Sequence, residues 1–268
     1  MKVGIGLPNT IPGADGRLLV DWARRADAGP FSTVAVLDRL AYDSLDPFCA
    51  LAAAAAVTQR VGLATMVAIG PLRNTALLVK QAASVDAVSG GRLTLGLAIG
   101  ARLDDFELAG VEHGGRGGRL SEQLATLRND GVREDLRLLV GGASGPAFAR
   151  MARYADGYAH GGGPPRAFER AAAGARAAWS DLDRPGRPLL WGQGYFALGD
   201  DDAGAAYLRD YYAFTGPFAE KIAAGNLTSA RAIKDFVRGY AEAGCDELIL
   251  LPTVADPAQL DRLAEVLA

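Results

Sequence analysis

Cysteine and histidine are scarce in this chain, with two of each in 268 residues. Cys49 and Cys245 are too few for a structural zinc site or a disulfide framework, and both are expected as free thiols in the core. His113 and His160 form no H-E-x-x-H or similar cluster, so no metal site is expected. There is no G-x-S-x-G elbow, and Ser144 has no histidine at a recognisable spacing. Long apolar runs are missing too. The longest, ALAAAAAVT from Ala50, falls well short of the roughly 18 residues of a membrane span. It reads as a helix packed between neighbours. Basic excess is also absent: the net charge is −3 and the pI near 5.5, which speaks against a nucleic-acid groove. Met1 runs directly into strand-like KVGIGL, so no secretory leader is expected and the cytoplasm is the expected compartment.

What is present is an ordinary globular balance, half apolar and 22% charged, enough for a full core at this length. Short apolar runs alternate with amphipathic stretches. The runs predict strands at Val3–Leu7, Thr33–Leu37, Val61–Val67, Leu93–Ile99, Leu136–Val140, Gly157–His160, Leu189–Ala197 and Glu247–Leu251. Helix-like sequence follows each, ending with Pro257–Leu267. Eight strand–helix units in a chain of this size predict an α/β fold, a (β/α)8 TIM barrel. The strands are nearly continuously hydrophobic, as parallel strands covered by helices should be. A doubly wound nucleotide-binding sheet would carry G-x-G-x-x-G in its first turn. Here Gly4 and Gly6 lie inside the strand and Asn9 takes the third position. No linker divides residues 1–268, so a single domain is expected.

A barrel places its site at the C-terminal strand ends. Those ends hold Pro8 and Asn9, then Asp38 and Arg39, then Ala68–Pro71, then Gly100 and Arg102. Strand 5 ends in Gly141, Gly142, Ala143 and Ser144, and strand 6 in His160 followed by Gly161 and Gly162. The Gly141–Ser144 loop reads either as an anion cradle at a helix start or as an ordinary turn with Ser144 capping the helix. The second glycine turn beside it favours a phosphorylated ligand. His160 is read either as an acid–base group at the mouth or as a polar side chain lining a wet cleft. His113 is expected to face solvent, and Asp104–Asp105 to form a solvated helix face.

The run from Gln59 to Gly100, with PLRN, KQAASVD and SGGRLTLG, resembles the signature of the luciferase-like monooxygenases. DDFELAGV, RGGRLSEQL and GGASGPAFARMARYADGY are similar to later parts of the same pattern. This superfamily joins bacterial luciferase with FMN-dependent and coenzyme F420-dependent oxidoreductases. The resemblance implies that Met66, Val67 and Ala68 lie behind the cofactor ring, where many deazaflavin members carry a non-prolyl cis peptide. It implies that Gly141, Gly142, Ala143 and Ser144 meet the cofactor phosphate, flanked by Gly161 and Gly162, with Asp38 near the ring and Gly100 at the adjoining strand end.

Four departures qualify it. Arg39 stands where several relatives keep a histidine. Ala101 takes the position of a glutamate of some deazaflavin dehydrogenases, and Ile99 that of an arginine luciferase uses on the FMN phosphate. The stretch before strand 5 is shortened relative to the family, so part of the usual wall or lid is missing.

The leading expectation is therefore a flavin- or deazaflavin-dependent oxidoreductase or monooxygenase, using FMN or F420 on a small organic substrate. Arg39, Tyr42 and His160 are its candidate catalytic residues: the arginine as an anion or oxyanion clamp, the others for proton delivery. An alternative for Arg39 is a salt bridge to Asp38 or Asp43. A homodimer is expected, with a flavin reductase as a candidate partner and neither nucleic acid nor membrane. Two other readings stay open: a non-catalytic flavin-binding or partner subunit, and a non-redox barrel enzyme on a phosphorylated substrate.

Overall fold

The computed structural model describes residues 1–131 and 135–268. Its strands are β1 (Lys2–Gly6), β2 (Thr33–Val36), β3 (Gly62–Thr65), β4 (Ala68–Ile69), β5 (Leu93–Ala98), β6 (Arg137–Gly141), β7 (Gly157–Ala159), β8 (Leu189–Phe196) and β9 (Glu247–Pro252). All pair in parallel. β1 lies between β2 and β9, and the ring closes where β3 and β4 both pair with β5. The segments β3 and β4 are one barrel strand interrupted at Met66–Val67, whose peptide is cis. Nine segments thus fill eight barrel positions, and the expected (β/α)8 barrel is borne out.

Helices α1 (Gly16–Ala28), α2 (Pro47–Val57), α3 (Thr75–Ser89), α4 (Leu103–Ala109), α5 (Arg116–Thr126), α6 (Gly145–Tyr154), α7 (Pro165–Ser180), α8 (Asp201–Tyr211), α9 (Phe218–Ala223), α10 (Ala230–Glu242) and α11 (Ala258–Leu267) wrap the barrel. Their starts are set locally. Asp15 accepts from the Leu18 amide, Asp46 from those of Phe48 and Cys49, and Asn74 from those of Ala76 and Leu77, each satisfying amides that have no intrahelical partner. The expected shortening before β6 concerns residues 127–136, and its middle, 132–134, lies outside the described residues.

Strand residues alternate between two apolar layers. Val34, Val36, Leu63, Leu95, Leu97, Leu138 and Val140 face the helices, whereas Ala35, Leu37, Ala64, Met66, Leu139, Ala159 and Trp191 fill the barrel interior. Both faces are buried, which is why the strands read as continuous hydrophobic runs. At the barrel's N-terminal end Arg60 and Arg92 donate to backbone carbonyls at helix ends and in the adjoining loops. There Glu247 is buried and accepts from the hydroxyls of Ser32 and Thr33. Cys245 is buried as expected, but Cys49 is exposed on α2 rather than in the core. Among the described residues no helix is long and apolar enough to cross a membrane.

Two glycines separate sterics from propensity. A Cβ on Gly157 would lie 2.3 Å from the Leu189 carbonyl oxygen, a backbone atom that cannot step aside, whereas one on Gly118 in α5 would meet nothing within 4 Å. Gly157→Ala is expected to lose about 2–3 kcal/mol in urea denaturation. Gly118→Ala is expected to gain about 0.5–1 kcal/mol. Equal effects would contradict the packing described.

Candidate active site

The C-terminal mouth of the barrel is organised by Asn9 and Asp38. Asn9 bridges β1 to β2: its amide donates to the Leu37 carbonyl at 2.8 Å and its oxygen accepts from the Leu37 amide at 3.1 Å. One residue on, the buried Asp38 carboxylate accepts from the Ile69 amide at 2.8 Å. It also takes both ends of the Arg73 guanidinium, at 2.5 and 3.1 Å. The carboxylate therefore fixes β4, the resumed half of the broken strand, against the end of β2. Burial pushes the Asp38 carboxyl above its ordinary value, opposed by the Arg73 charge and the Ile69 amide. Arg73 was part of the PLRN motif in the sequence, but nothing local marked its partner.

Arg39 is equally committed. Its side chain is buried, with Nε 2.9 Å from Asp105 and a terminal nitrogen 2.7 Å from Asp104. Asp105 also accepts from the amides of Leu40 and Ala41. The expected alternative, a salt bridge to Asp38 or Asp43, is replaced by this one, made to α4. The expectation of a solvated acidic face is likewise corrected. Asp104 is half exposed, but Asp105 is fully buried and anchors the loop after β2.

Above the mouth lies α8. Its Tyr207 and Tyr211 pack into the interior layer, and Tyr207 hydrogen-bonds Thr10 at 2.8 Å. Tyr195 of β8 hydrogen-bonds Tyr212 through their hydroxyls at 2.6 Å. Arg102 lies over the rings of Tyr211 and Phe214 at 4.5 and 4.4 Å and donates to the Tyr211 carbonyl. Tyr42 donates to Asp210 at 2.5 Å, and burial together with that carboxylate holds its hydroxyl well above the ordinary tyrosine range. Together these residues form an aromatic cover over the mouth. Sequence reading missed it, although Tyr207, Tyr211, Tyr212, Phe214 and Phe218 make a dense aromatic run in an aromatic-poor chain.

Val67, at the strand break, would sit 3.2 Å from a Cβ on Gly141, so the break and the glycine loop are in contact. Met66 and Ala68 are buried on either side of Val67. Gly100 is held close to Ile69 and Phe106, at the far end of β4. Beyond Gly141 the loop opens outward: Gly142, Ala143 and Ser144 are exposed at the head of α6. Ser144 is the N-cap residue but its hydroxyl makes no capping bond. The capping role considered from sequence is thus not taken, and exposed amides at the helix start share the loop with an uncommitted hydroxyl. That donor set suits a phosphate.

His160 stands apart. Ala159 points into the barrel, and His160 points the other way, its ring 5.7 Å from that of Phe168 on α7 and its Nδ1 3.1 Å from the Tyr158 hydroxyl. Burial lowers its pKa, opposed by the Gly162 backbone, and Nε2 has no hydrogen-bond partner among the described residues. The wet-cleft alternative fails as well, because the ring is buried. His113, expected in solvent, is half buried, its ring 5.0 Å from that of Phe106.

Residues 1–130 match the family model described as luciferase-like monooxygenase. Over its first half the chain is luciferase-like. An uncharacterised protein of Mycobacterium tuberculosis is 29% identical, the match covering 58% of this chain and 69% of the relative. Among solved structures, an F420-dependent secondary alcohol dehydrogenase bound to an F420-acetone adduct superposes with a TM-score of 0.81 at 14% identity, covering 99% of this chain and 97% of that one. The oxygenating constituent of 3,6-diketocamphane monooxygenase from the CAM plasmid of Pseudomonas putida, bound to FMN, gives 0.74 at 16% identity, covering 100% and 96%. The structural likenesses bear out the (β/α)8 barrel read from the sequence, and the family match bears out the resemblance over residues 1–130.

Replacing Arg73 by methionine removes the charge that opposes Asp38's burial. A carboxyl whose folded pKa lies above the unfolded one stabilises the fold at low pH and loses that contribution as pH rises from the unfolded toward the folded value. Arg73→Met is therefore expected to cost about 3 kcal/mol or more at pH 7, a deficit that shrinks as pH approaches about 4. Urea denaturation of both proteins across that range checks it. A deficit independent of pH would show that Asp38 is not the group left unpaired.

Proposed function

We propose that the chain is a flavin- or deazaflavin-dependent oxidoreductase acting on a small organic substrate, with its cofactor at the covered mouth. The observation that carries this reading is the exposed Gly142–Ser144 loop, with its unused hydroxyl at the head of α6, joined through Gly141 to the break in the third barrel strand. Either FMN or F420 fits this arrangement. The loop amides and Ser144 would hold the phosphate, Met66–Ala68 would back the ring, and Gly161 and Gly162 would flank the anion from the next strand. When bound, such a cofactor supplies hydride transfer or oxygen activation at its ring.

The chain's own residues bind and exclude. Arg39 shapes the loop after β2 through Asp104 and Asp105, and Asp38 with Arg73 sets the position of the strand behind the ring. Tyr207, Tyr211 and Tyr212 keep water out, which strengthens every electrostatic contact beneath them. A homodimer, and a flavin reductase as partner if FMN is the cofactor, belong to the same proposal.

A second reading is favoured by one observation. Arg39 and Tyr42 stand together, the guanidinium 5.2 Å from the tyrosine ring. The first is neutralised by Asp105, the second is held by Asp210, and His160 faces α7 away from both, so the three candidate catalytic side chains do not converge on one point. A cofactor-binding subunit without turnover of its own would look like this. Cofactor binding with no turnover of any substrate in the presence of a reductase would favour it.

Ser144→Asp tests the cofactor site directly. Aspartate is a good N-cap, so stability should hold or rise by up to about 1 kcal/mol. Its carboxylate would stand where the phosphate is placed, and the affinity for FMN or F420, followed by cofactor fluorescence, is expected to fall at least about tenfold. If the native protein binds neither compound, or the variant binds as well as the native protein, the assignment fails.

A further inference from the structure

Beside the covered mouth is a cavity of about 620 Å³. It runs from the Gly161–Arg166 loop to α9 and α10, and its inner wall is the hydroxyl-paired Tyr195 and Tyr212. The volume is that of a pocket for a small organic molecule. Its walls are largely apolar and aromatic, with Phe218 and Phe236 adding two rings to the two tyrosines. The tyrosine hydroxyls at the wall are already engaged. The two tyrosine hydroxyls bond each other, and the nearby Tyr240 hydroxyl donates to the Gly163 carbonyl.

The charges along this cavity are of one sign. Arg166 and Lys221 line it, no carboxylate does, and neither cation forms an ion pair among the described residues. Elsewhere on this slightly acidic chain some exposed arginines, such as Arg25, Arg187, Arg209 and Arg238, are matched by acids, and others, such as Arg17, Arg24 and Arg153, have no acid partner among the described residues. What distinguishes Arg166 and Lys221 is that they share one apolar cavity. Lys221 lies 5.9 Å from the Phe218 ring, at the edge of the aromatic wall. An apolar slot ending in unmatched cations selects a ligand with a flat hydrophobic body and a terminal anion.

We infer that this cavity is the organic-substrate site, and that it takes an aromatic or similarly flat apolar anion whose charged end lies between Arg166 and Lys221. Naming the ligand a substrate rests on the oxidoreductase reading; its binding chemistry does not. Because both cations are exposed, their role is discrimination more than affinity.

The test uses 2-naphthoate and its uncharged counterpart 2-naphthamide, titrated calorimetrically into the full-length protein. Naphthoate is expected to bind about tenfold more tightly than the amide. The exposed double variant Arg166→Gln/Lys221→Gln should reduce that preference to within about twofold and leave amide affinity unchanged. Phe236→Ala should weaken both probes. No binding of either probe, equal affinities in the native protein, or a preference that survives the double variant would overturn the site. The titration is repeated with saturating FMN or F420. Retained naphthoate binding supports a substrate site, and exclusion by the cofactor overturns that assignment. Failure of cofactor binding is read separately from fluorescence, so loss of the oxidoreductase reading and loss of this site are distinguishable.

Discussion

The Asp38 carboxylate holds the mouth of this barrel together. A carboxylate with almost no access to water must find partners, and it has three: the Ile69 amide and the two arms of Arg73. Through the first it determines where the third barrel strand resumes after its break at Met66–Val67. That in turn places Val67 against Gly141, so the surface proposed to back a cofactor ring and the loop proposed to bind its phosphate have a fixed relation. Asn9 on one side and the Arg39–Asp105 pair on the other make the same stretch rigid. Three of the barrel's first four strand ends are thus tied by buried polar contacts before any ligand is considered.

A site assembled this way divides its labour by location. Charges at the ends of β2 and in α4 are spent on each other and shape the frame. Exposed donors with no partner among the described residues sit on the opposite side, in the Gly142–Ser144 loop. Aromatic side chains from α8 and the segment after it supply the cover, braced by Arg102. Two cations without acid partners among the described residues, Arg166 and Lys221, line the neighbouring cavity. The arginines that frame the mouth, Arg39 and Arg73, are paired and buried, and the arginine and lysine proposed to recognise a ligand are unpaired and exposed.

Much of the fold was legible in the sequence because its signal is local. The alternation of short apolar runs with helix-like stretches is enough for a barrel, and PLRN and SGGRLTLG carry a family resemblance on top of it. The site was legible only as positions at strand ends. Asp38 and Arg39 do lie at the mouth, but their partners are 35 and 66 residues away along the chain, and no local pattern encodes which charge meets which. His160 shows a different limit. In a strand buried on both faces hydrophobicity does not say which side is inward, so a one-residue shift in facing separates a catalytic histidine from one packed against α7. The aromatic cover was missed for a third reason: its residues come from β8 and the segment after it, and only the closed barrel brings them over the mouth.

The central claim is that the strand break and the glycine loop act as one cofactor site. Hydrogen–deuterium exchange with and without FMN or F420 tests it most directly, because slowed exchange reports bonding of backbone amides along the chain. Saturating cofactor is expected to protect 66–69 and 141–145 together. Protection absent from both segments, or confined to the 161–166 and 218–225 walls of the neighbouring cavity, would contradict it.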